Sequence, residues 1–203
     1  MKILYLFFYL FFNVIVAFSQ LDSTPVYPNF KFNDGIYLTF EEFKKNTPTY
    51  TDFKISYSGG NTKLTIAEVV ENKTKEIHKP WGYCINSNVY IHQGFGSKYY
   101  KLQIIGALIH YFSIEVDYRY RDFYDPYDPF YSPLSYRQIT VKEKLLEWNT
   151  GKSFDFNYKS FKLFLEKADK ELLNQLETSK KKRKMIYYFM MQYNSKHKVF
   201  IKN

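Results

Sequence analysis

A carboxylate pair and a histidine are the residues whose types and spacing come nearest to catalytic chemistry. Glu115 and Asp117 are two residues apart in an alternating apolar segment, and His110 precedes them. Residues two apart on a strand share one face, as paired carboxyl groups need for acid–base or glycosidase chemistry. The simpler interpretation is that Ile114 and Val116 face the core while both carboxylates face water. A hydrolase therefore stays an alternative, and no residue is predicted to be catalytic.

The single thiol and the histidines form no recognisable site. Cys84 follows Trp81-Gly82-Tyr83 in a strand-like segment, and no environment that would lower its pKa can be read nearby, so we predict a half-buried structural thiol. One cysteine also excludes an intramolecular disulfide. The four histidines lack metal-ligand spacing, and phosphate-loop and nucleophile-elbow motifs are absent. We therefore predict no metal and no cofactor.

An aromatic segment, residues 118–136, is the strongest candidate for binding. It holds eight aromatic residues and three prolines, which a regular strand ladder does not accommodate. Exposed tyrosine and phenylalanine side chains give large contact area at low rotamer cost. The candidate binding residues are Tyr124, Tyr127, Phe130 and Tyr131. The alternative is that these rings only cover the open end of a sheet.

The net positive charge of residues 20–203 lies entirely in the last part of the chain. Residues 20–151 hold 15 basic and 15 acidic side chains, whereas residues 152–203 hold 13 basic and 5 acidic side chains. The cationic run is Lys180, Lys181, Lys182, Arg183 and Lys184. A solvated helix end explains such a run, and an anionic envelope lipid is the alternative partner. Nucleic acid fits poorly because the neutral body offers no second cationic patch.

Period-two alternation with regular turn signals predicts an antiparallel sheet over about residues 30–156. Turns are expected at Gly59-Gly60-Asn61 and Asn86-Ser87-Asn88, and one helical turn near Glu41–Lys45. The longest strand is predicted over Ile104–Asp117, with Gly106 as a bulge. The fold class is therefore α+β: a curved antiparallel sheet, as a meander or half-barrel, followed by a small helical segment.

Helical spacing replaces the alternation after Asn157. Two or three short helices are expected there, with Asn157 or Ser160 capping the first and Asp169 the second. We divide the chain into a signal peptide at 1–19, an antiparallel β domain at 20–156 and a basic helical tail at 157–203, packed on the sheet.

The N-terminus has the pattern of a cleavable export signal. Lys2 precedes an apolar run from Ile3 to Val16, and small residues at Ala17 and Ser19 suit a signal peptidase. The run through Phe18 is about 24 Å long as a helix, shorter than the ~30 Å hydrocarbon core of a bilayer. We expect cleavage after Ser19 and a location in the periplasm, at the outer-membrane surface or outside the cell. An uncleaved anchor is the alternative.

Three segments resemble a family of uncharacterised exported proteins of Bacteroidota. They are DGIYLTFEEFKKNTP at 34–48, WGYCINSNVYI at 81–91 and NTGKSFDF at 149–156, which continues into a lysine-rich tail ending near QYNSKH. The first segment is the most recognisable. The resemblance implies an exported protein of the cell envelope and brings no catalytic residues.

Together these patterns favour a non-enzymatic binding module of the cell envelope or a secreted one, acting through the aromatic segment. Its partner is open between a protein, a glycan and an anionic envelope lipid. Two alternatives remain. One is an envelope hydrolase with a site in the sheet concavity, and the other is a peripheral membrane protein docking through Lys180–Lys184 and Met185–Met191 on a basic C-terminal helix.

Overall fold

The computed structural model describes residues 23–27, 30–68, 73–93, 97–121 and 134–202. The strands are β1 (Ser23–Pro25), β2 (Gly35–Tyr37), β3 (Lys54–Ser58), β4 (Asn61–Glu68), β5 (Lys73–Ile77), β6 (Gly82–Ile85), β7 (Asn88–His92), β8 (Tyr99–Ile104), β9 (Leu108–Arg121), β10 (Leu134–Glu147), β11 (Ser153–Asp155) and β12 (Phe200–Lys202). The helices are α1 (Phe40–Lys44), α2 (Tyr158–Ala168), α3 (Lys170–Thr178) and α4 (Ile186–Lys196).

Seven strands form one antiparallel sheet in the order β11-β10-β9-β8-β7-β6-β2. The strands from β6 to β11 follow one another along the chain, so this part of the sheet is a meander. The intervening β3, β4 and β5 form a separate three-stranded sheet, and β1 pairs with β12. The predicted α+β fold with antiparallel sheets and a C-terminal helical segment is confirmed. The large sheet is open, with β11 and β2 at its edges.

Two predicted hairpin turns are confirmed. Gly59 and Gly60 between β3 and β4 have φ of 58° and 78°, and Asn86 and Ser87 between β6 and β7 have φ of 51° and 60°. Positive φ at both central residues gives the turn whose twist matches antiparallel strands. The carboxylate of Asp34 accepts hydrogen bonds from the amides of Asn86 and Ser87, at 2.9 and 3.1 Å, and holds the second turn against the chain before β2.

The predicted helical turn is α1. Its N-cap is Thr39, whose hydroxyl accepts a hydrogen bond from the Glu42 amide at 3.2 Å. The Glu42 carboxylate in turn accepts from the Leu38 amide at 2.7 Å. This arrangement ends β2 at Tyr37, so the alternation of apolar residues does not continue the strand into Phe40.

Both faces of the large sheet carry core residues. One face packs against the N-terminal segment and α1; it includes Val26, Phe32, Tyr37, Phe43, Ile91, Ile109 and Tyr111. The opposite face is covered at its β2–β6 end by the three-stranded sheet, through Leu64 against Ile36 and Tyr83. Its β9–β11 end is covered by the helices; this core includes Leu108, Leu145, Phe161, Leu165, Leu176, Phe189 and Met190. On β9 and β10 the helices thus cover the inner ends, at Leu108 and Leu145.

The helical tail packs on the sheet through capped helices and one buried amide. Asn157 caps α2 by accepting from the Ser160 amide at 3.0 Å, and Asp169 caps α3 by accepting from the Leu172 amide at 3.0 Å. On α4, the buried Asn194 accepts from the Leu108 amide at 2.7 Å and donates to the Leu108 carbonyl at 2.9 Å. Within the described residues, no helix combines the length and apolar character needed to cross a membrane.

The prediction of one strand over Ile104–Asp117 with a bulge at Gly106 is wrong. The chain reverses between β8 and β9, and Gly106 lies in that turn. A Cβ at Gly106 would lie 2.8 Å from the side-chain carbon Cγ of Asn194. Glycine is therefore required by the close approach of α4, which the sequence pattern of the strand does not reveal.

Candidate functional site

The outer half of the β9–β10 hairpin exposes a row of apolar side chains. We call Phe112, Ile114, Ile139 and Val141 the apolar row; they are 41%, 43%, 58% and 63% exposed. Ile114 pairs with Val141 across the hairpin, so these side chains share one face. The prediction that Ile114 faces the core is wrong because the helices cover only the inner half of this face, over Leu108 and Leu145.

The opposite face of the hairpin carries the predicted carboxylate Glu115 in an ion-pair network. Its carboxylate lies 2.5 Å from the Lys142 ammonium and 2.9 Å from that of Lys144, which also contacts Asp155 at 3.0 Å. Hydrogen bonds from Lys142 and then Lys144 lower the pKa of Glu115. A carboxylate held ionised by two lysines is a poor general acid. Asp117 shares this face and is exposed.

His110 lies on the face with the apolar row, so the structure does not bring it together with Glu115 or Asp117. His110 is 3% exposed. The centroid of its ring lies 5.0, 5.6 and 5.8 Å from the ring centroids of Phe112, Phe156 and Tyr187. Its Nε2 is 3.5 Å from a Glu143 oxygen, and both ring nitrogens are buried without a hydrogen-bond partner. Burial lowers the pKa of His110, and Glu143 opposes that shift. A histidine buried beneath these aromatic rings has no access to a substrate.

Cys84 is fully buried on β6 rather than half-buried as predicted. Its Sγ lies 3.4 Å from an Asp34 oxygen and 3.7 Å from the Phe32 carbonyl. Burial, together with Asp34, raises the pKa of this thiol to about 12. A buried, protonated thiol is not a nucleophile. Among the described residues, no group of three or more His, Cys, Asp or Glu side chains could hold a metal ion.

The connection between β9 and β10 is shorter than the predicted aromatic segment, residues 118–136. β9 continues to Arg121 and β10 begins at Leu134, so residues 118–121 and 134–136 belong to the ladder of the hairpin. Tyrosine and arginine alternate over Tyr118–Arg121, a pattern typical of a strand. The prolines that follow led to the prediction that these residues belong to the connection. The candidates Tyr124, Tyr127, Phe130 and Tyr131 lie outside the described residues.

The cationic run Lys180–Lys184 forms an exposed turn between α3 and α4, so the expectation that it lies on a helix is wrong. Consecutive cations repel one another, and the apolar spacing that would anchor a helix resumes only at Met185. Among the described residues, no carboxylate lies within salt-bridge distance of these five cations. Tyr187 and Tyr188, which follow on α4, are 46% and 52% exposed. Phe189 and Met190 face the core.

A shallow cleft of about 620 Å³ joins the cationic turn to the hairpin. It is lined by Glu143, Phe156, Asn157, Tyr158, Lys159, Arg183 and Ile186. Arg183 belongs to the cationic turn, and Glu143 lies two residues from Val141 on the same strand. The cationic turn, the cleft and the apolar row are therefore neighbours on one side of the molecule.

Sequence reasoning located the cationic run but missed the apolar row. Strand alternation marks the residues of a face without showing whether another element covers that face. One available signal was that Ile139 and Val141 alternate with polar residues beside a segment rich in proline, where a covering helix is hard to place.

No family model matches the chain, and no curated protein and no solved structure matches it.

Proposed function

We propose that this chain is an exported, non-enzymatic binding module that contacts a component of the cell envelope through the apolar row. The carrying observation is the exposure of Phe112, Ile114, Ile139 and Val141 on one face of a regular hairpin. Contiguous exposed apolar side chains on a soluble domain mark interaction sites. The signal-like pattern of the N-terminal sequence and the resemblance of three segments to exported proteins are the reasons for proposing this location.

The surroundings of the candidate catalytic groups support a binding function over a hydrolase. His110 is sealed by aromatic rings, Glu115 is ion-paired to two lysines, and the two lie on opposite faces of the hairpin. Acid–base chemistry needs both groups at one accessible point. Tyr124, Tyr127, Phe130 and Tyr131 belong in sequence to the connection of the same hairpin, and the proposal retains them as contact residues.

The test is retention of the exported protein by crude envelope preparations from the source organism. Ile139→Ser with Val141→Ser removes the two most exposed members of the row, and we expect retention to fall at least about tenfold, since each buried aliphatic side chain contributes about 1.5–3 kcal/mol. Tyr57→Ser is the matched control, because Tyr57 is an exposed ring on β3 (73%) far from the row in the fold.

The double variant should keep the wild-type circular dichroism spectrum and melting temperature, because both positions are exposed. Tyr57→Ser should keep the spectrum, with at most a small fall in melting temperature, because it loses a hydrogen bond to Tyr83. Retention of the double variant at the wild-type level would contradict the proposal. Equal loss in the double variant and in Tyr57→Ser would also contradict it, since adhesion would then be a general property of exposed apolar residues.

A further inference from the structure

We infer that the envelope component bound by the apolar row is an anionic lipid surface, which the cationic turn Lys180–Lys184 contacts at the same time. This inference rests on the proposed function and names the partner of that site. The charge and the apolar side chains lie on elements distant in sequence and are brought to one side of the molecule by the packing of α4 on β9.

Ring contacts connect the two parts of this surface. Tyr187, three residues after the cationic turn, meets the ring of His110 at 5.8 Å, and His110 meets Phe112 of the apolar row at 5.0 Å. Arg183 of the cationic turn and Glu143 of β10 also line one cleft. Tyr187 and the cleft therefore lie between the cationic turn and the apolar row.

Charge complementarity favours a lipid surface over a neutral apolar partner. Within the described part of the chain, no carboxylate lies within 4.0 Å of any of the five cations, and all five are exposed. Lys182 is near enough to Glu177 to help lower the pKa of that carboxylate. The Lys182 ammonium also lies 5.7 Å from the centroid of the Tyr158 ring. Unpaired cations beside apolar side chains match the headgroup and acyl layers of an anionic leaflet.

An exposed tyrosine fits the depth expected for such docking. Tyr187 follows the cations on α4 and adjoins the apolar row through His110. Tyrosine is enriched at the headgroup level of membranes because its ring is amphipathic. Glu143 is the carboxylate in the cleft; one of its oxygens lies 3.5 Å from His110 Nε2, and its side chain is 47% exposed.

The experiment is co-sedimentation of the exported protein with phosphatidylcholine vesicles, with and without phosphatidylglycerol. We expect binding to the anionic vesicles only, weakening as ionic strength rises. Lys180→Gln, Lys181→Gln and Lys184→Gln together should lower the partition coefficient about 100-fold, since each cation near an anionic surface contributes about fivefold. The Ile139→Ser, Val141→Ser form should bind about tenfold or more weakly.

The matched control for charge is Lys31→Gln, Lys54→Gln and Lys75→Gln, which changes the net charge equally at exposed positions on other elements. Tyr57→Ser again controls for apolar exposure. Both should bind within about threefold of the wild type, because long-range effects of distant surface charges are screened. All forms share one N-terminus, so it affects them equally.

Equal losses in the two lysine variants would overturn the inference, since net charge alone would then explain binding. Wild-type binding by the Ile139→Ser, Val141→Ser form would also overturn it and would indicate a soluble polyanion as the partner. Envelope retention that depends on the apolar row, without binding to anionic vesicles, would overturn this inference and leave the proposed function intact. Envelope retention that is the same with and without the Ile139→Ser, Val141→Ser substitutions would overturn the proposed function itself.

Discussion

At the scale of single residues, burial decides which of the chemically interesting side chains can act. Cys84 and His110 both have reactive side chains, yet each is buried, and burial shifts each pKa toward the neutral form. The same effect explains why neither residue can be judged from sequence alone. A cysteine or histidine on an alternating strand occupies either face, and only the packing of distant elements decides its exposure.

Cys84 gives the first prediction. With a pKa near 12, the thiol is protonated at neutral pH and its Sγ is buried against Phe32 and Asp34. Reaction with a disulfide reagent should therefore follow global unfolding, being slow in native buffer and rapid in denaturant. Rapid labelling of the native protein, with the circular dichroism spectrum unchanged, would contradict the buried position.

Asp169 gives a prediction on pH. Burial alone would raise its pKa, but hydrogen bonds from His197, the Leu172 amide and Lys196 outweigh it and lower the pKa to about 2. The ionised form therefore stabilises the fold above pH ~4, and this stability is lost as pH falls through about 2. Asp169→Asn, which keeps a capping side chain, should cost about 2 kcal/mol of unfolding free energy at neutral pH.

The measurement for Asp169 is urea unfolding of both forms across the acid range. The difference between wild type and variant should shrink as the pH falls toward 2. Asp52→Asn is the control, since Asp52 is exposed, and its effect should stay within about 0.5 kcal/mol at every pH. A difference for Asp169→Asn that does not change with pH would show that its ion pairs with Lys196 and His197 are not the cause.

At the scale of elements, one buried amide fastens the helical tail to the large sheet. Asn194 pairs with both backbone groups of Leu108, at the start of β9, and leaves room only for glycine at position 106. These contacts fix α4 against the sheet, and with it the position of Tyr187 beside His110. The position of the cationic turn relative to the apolar row therefore depends on the contact between Asn194 and Leu108.

Asn194→Ala should lower the unfolding free energy by about 2–4 kcal/mol, because it leaves a buried amide and carbonyl unpaired and opens a cavity. Asn174→Ala on the exposed face of α3 is the control and should change it by less than about 0.5 kcal/mol. Gly106→Ala should destabilise the wild type and be less harmful in the Asn194→Ala background, where its methyl group has space. Purely additive effects in this double-mutant cycle would contradict the predicted contact.

The elements themselves were largely predictable. Turn chemistry located the hairpins at Gly59-Gly60 and Asn86-Ser87, and capping residues located α1, α2 and α3, because these signals act within a few residues. The errors arose from long-range packing. Gly106 appeared to be a bulge because its partner Asn194 is 88 positions later, and Ile114 appeared to be core because sequence does not show where the covering helices end.

At the scale of the whole molecule, the charge and the apolar surface form one arrangement. The body is neutral in sequence, and the tail places its unpaired cations beside the face of the hairpin that the helices leave open. Export would bring this side of the protein to the cell envelope. We expect the intact mass of the exported protein to lack residues 1–19, as cleavage after Ser19 requires. A mass that includes them would contradict cleavage and support an anchor.

The most direct measurement of the central proposal is photo-crosslinking from the apolar row. A photoreactive phenylalanine analogue replaces Val141 in one form and Tyr57 in the other, both of which are exposed side chains on strands. After irradiation with source envelopes, we expect covalent adducts from position 141 and none above background from position 57. Equal adducts at both positions, or none at position 141, would contradict a contact surface on the β9–β10 hairpin.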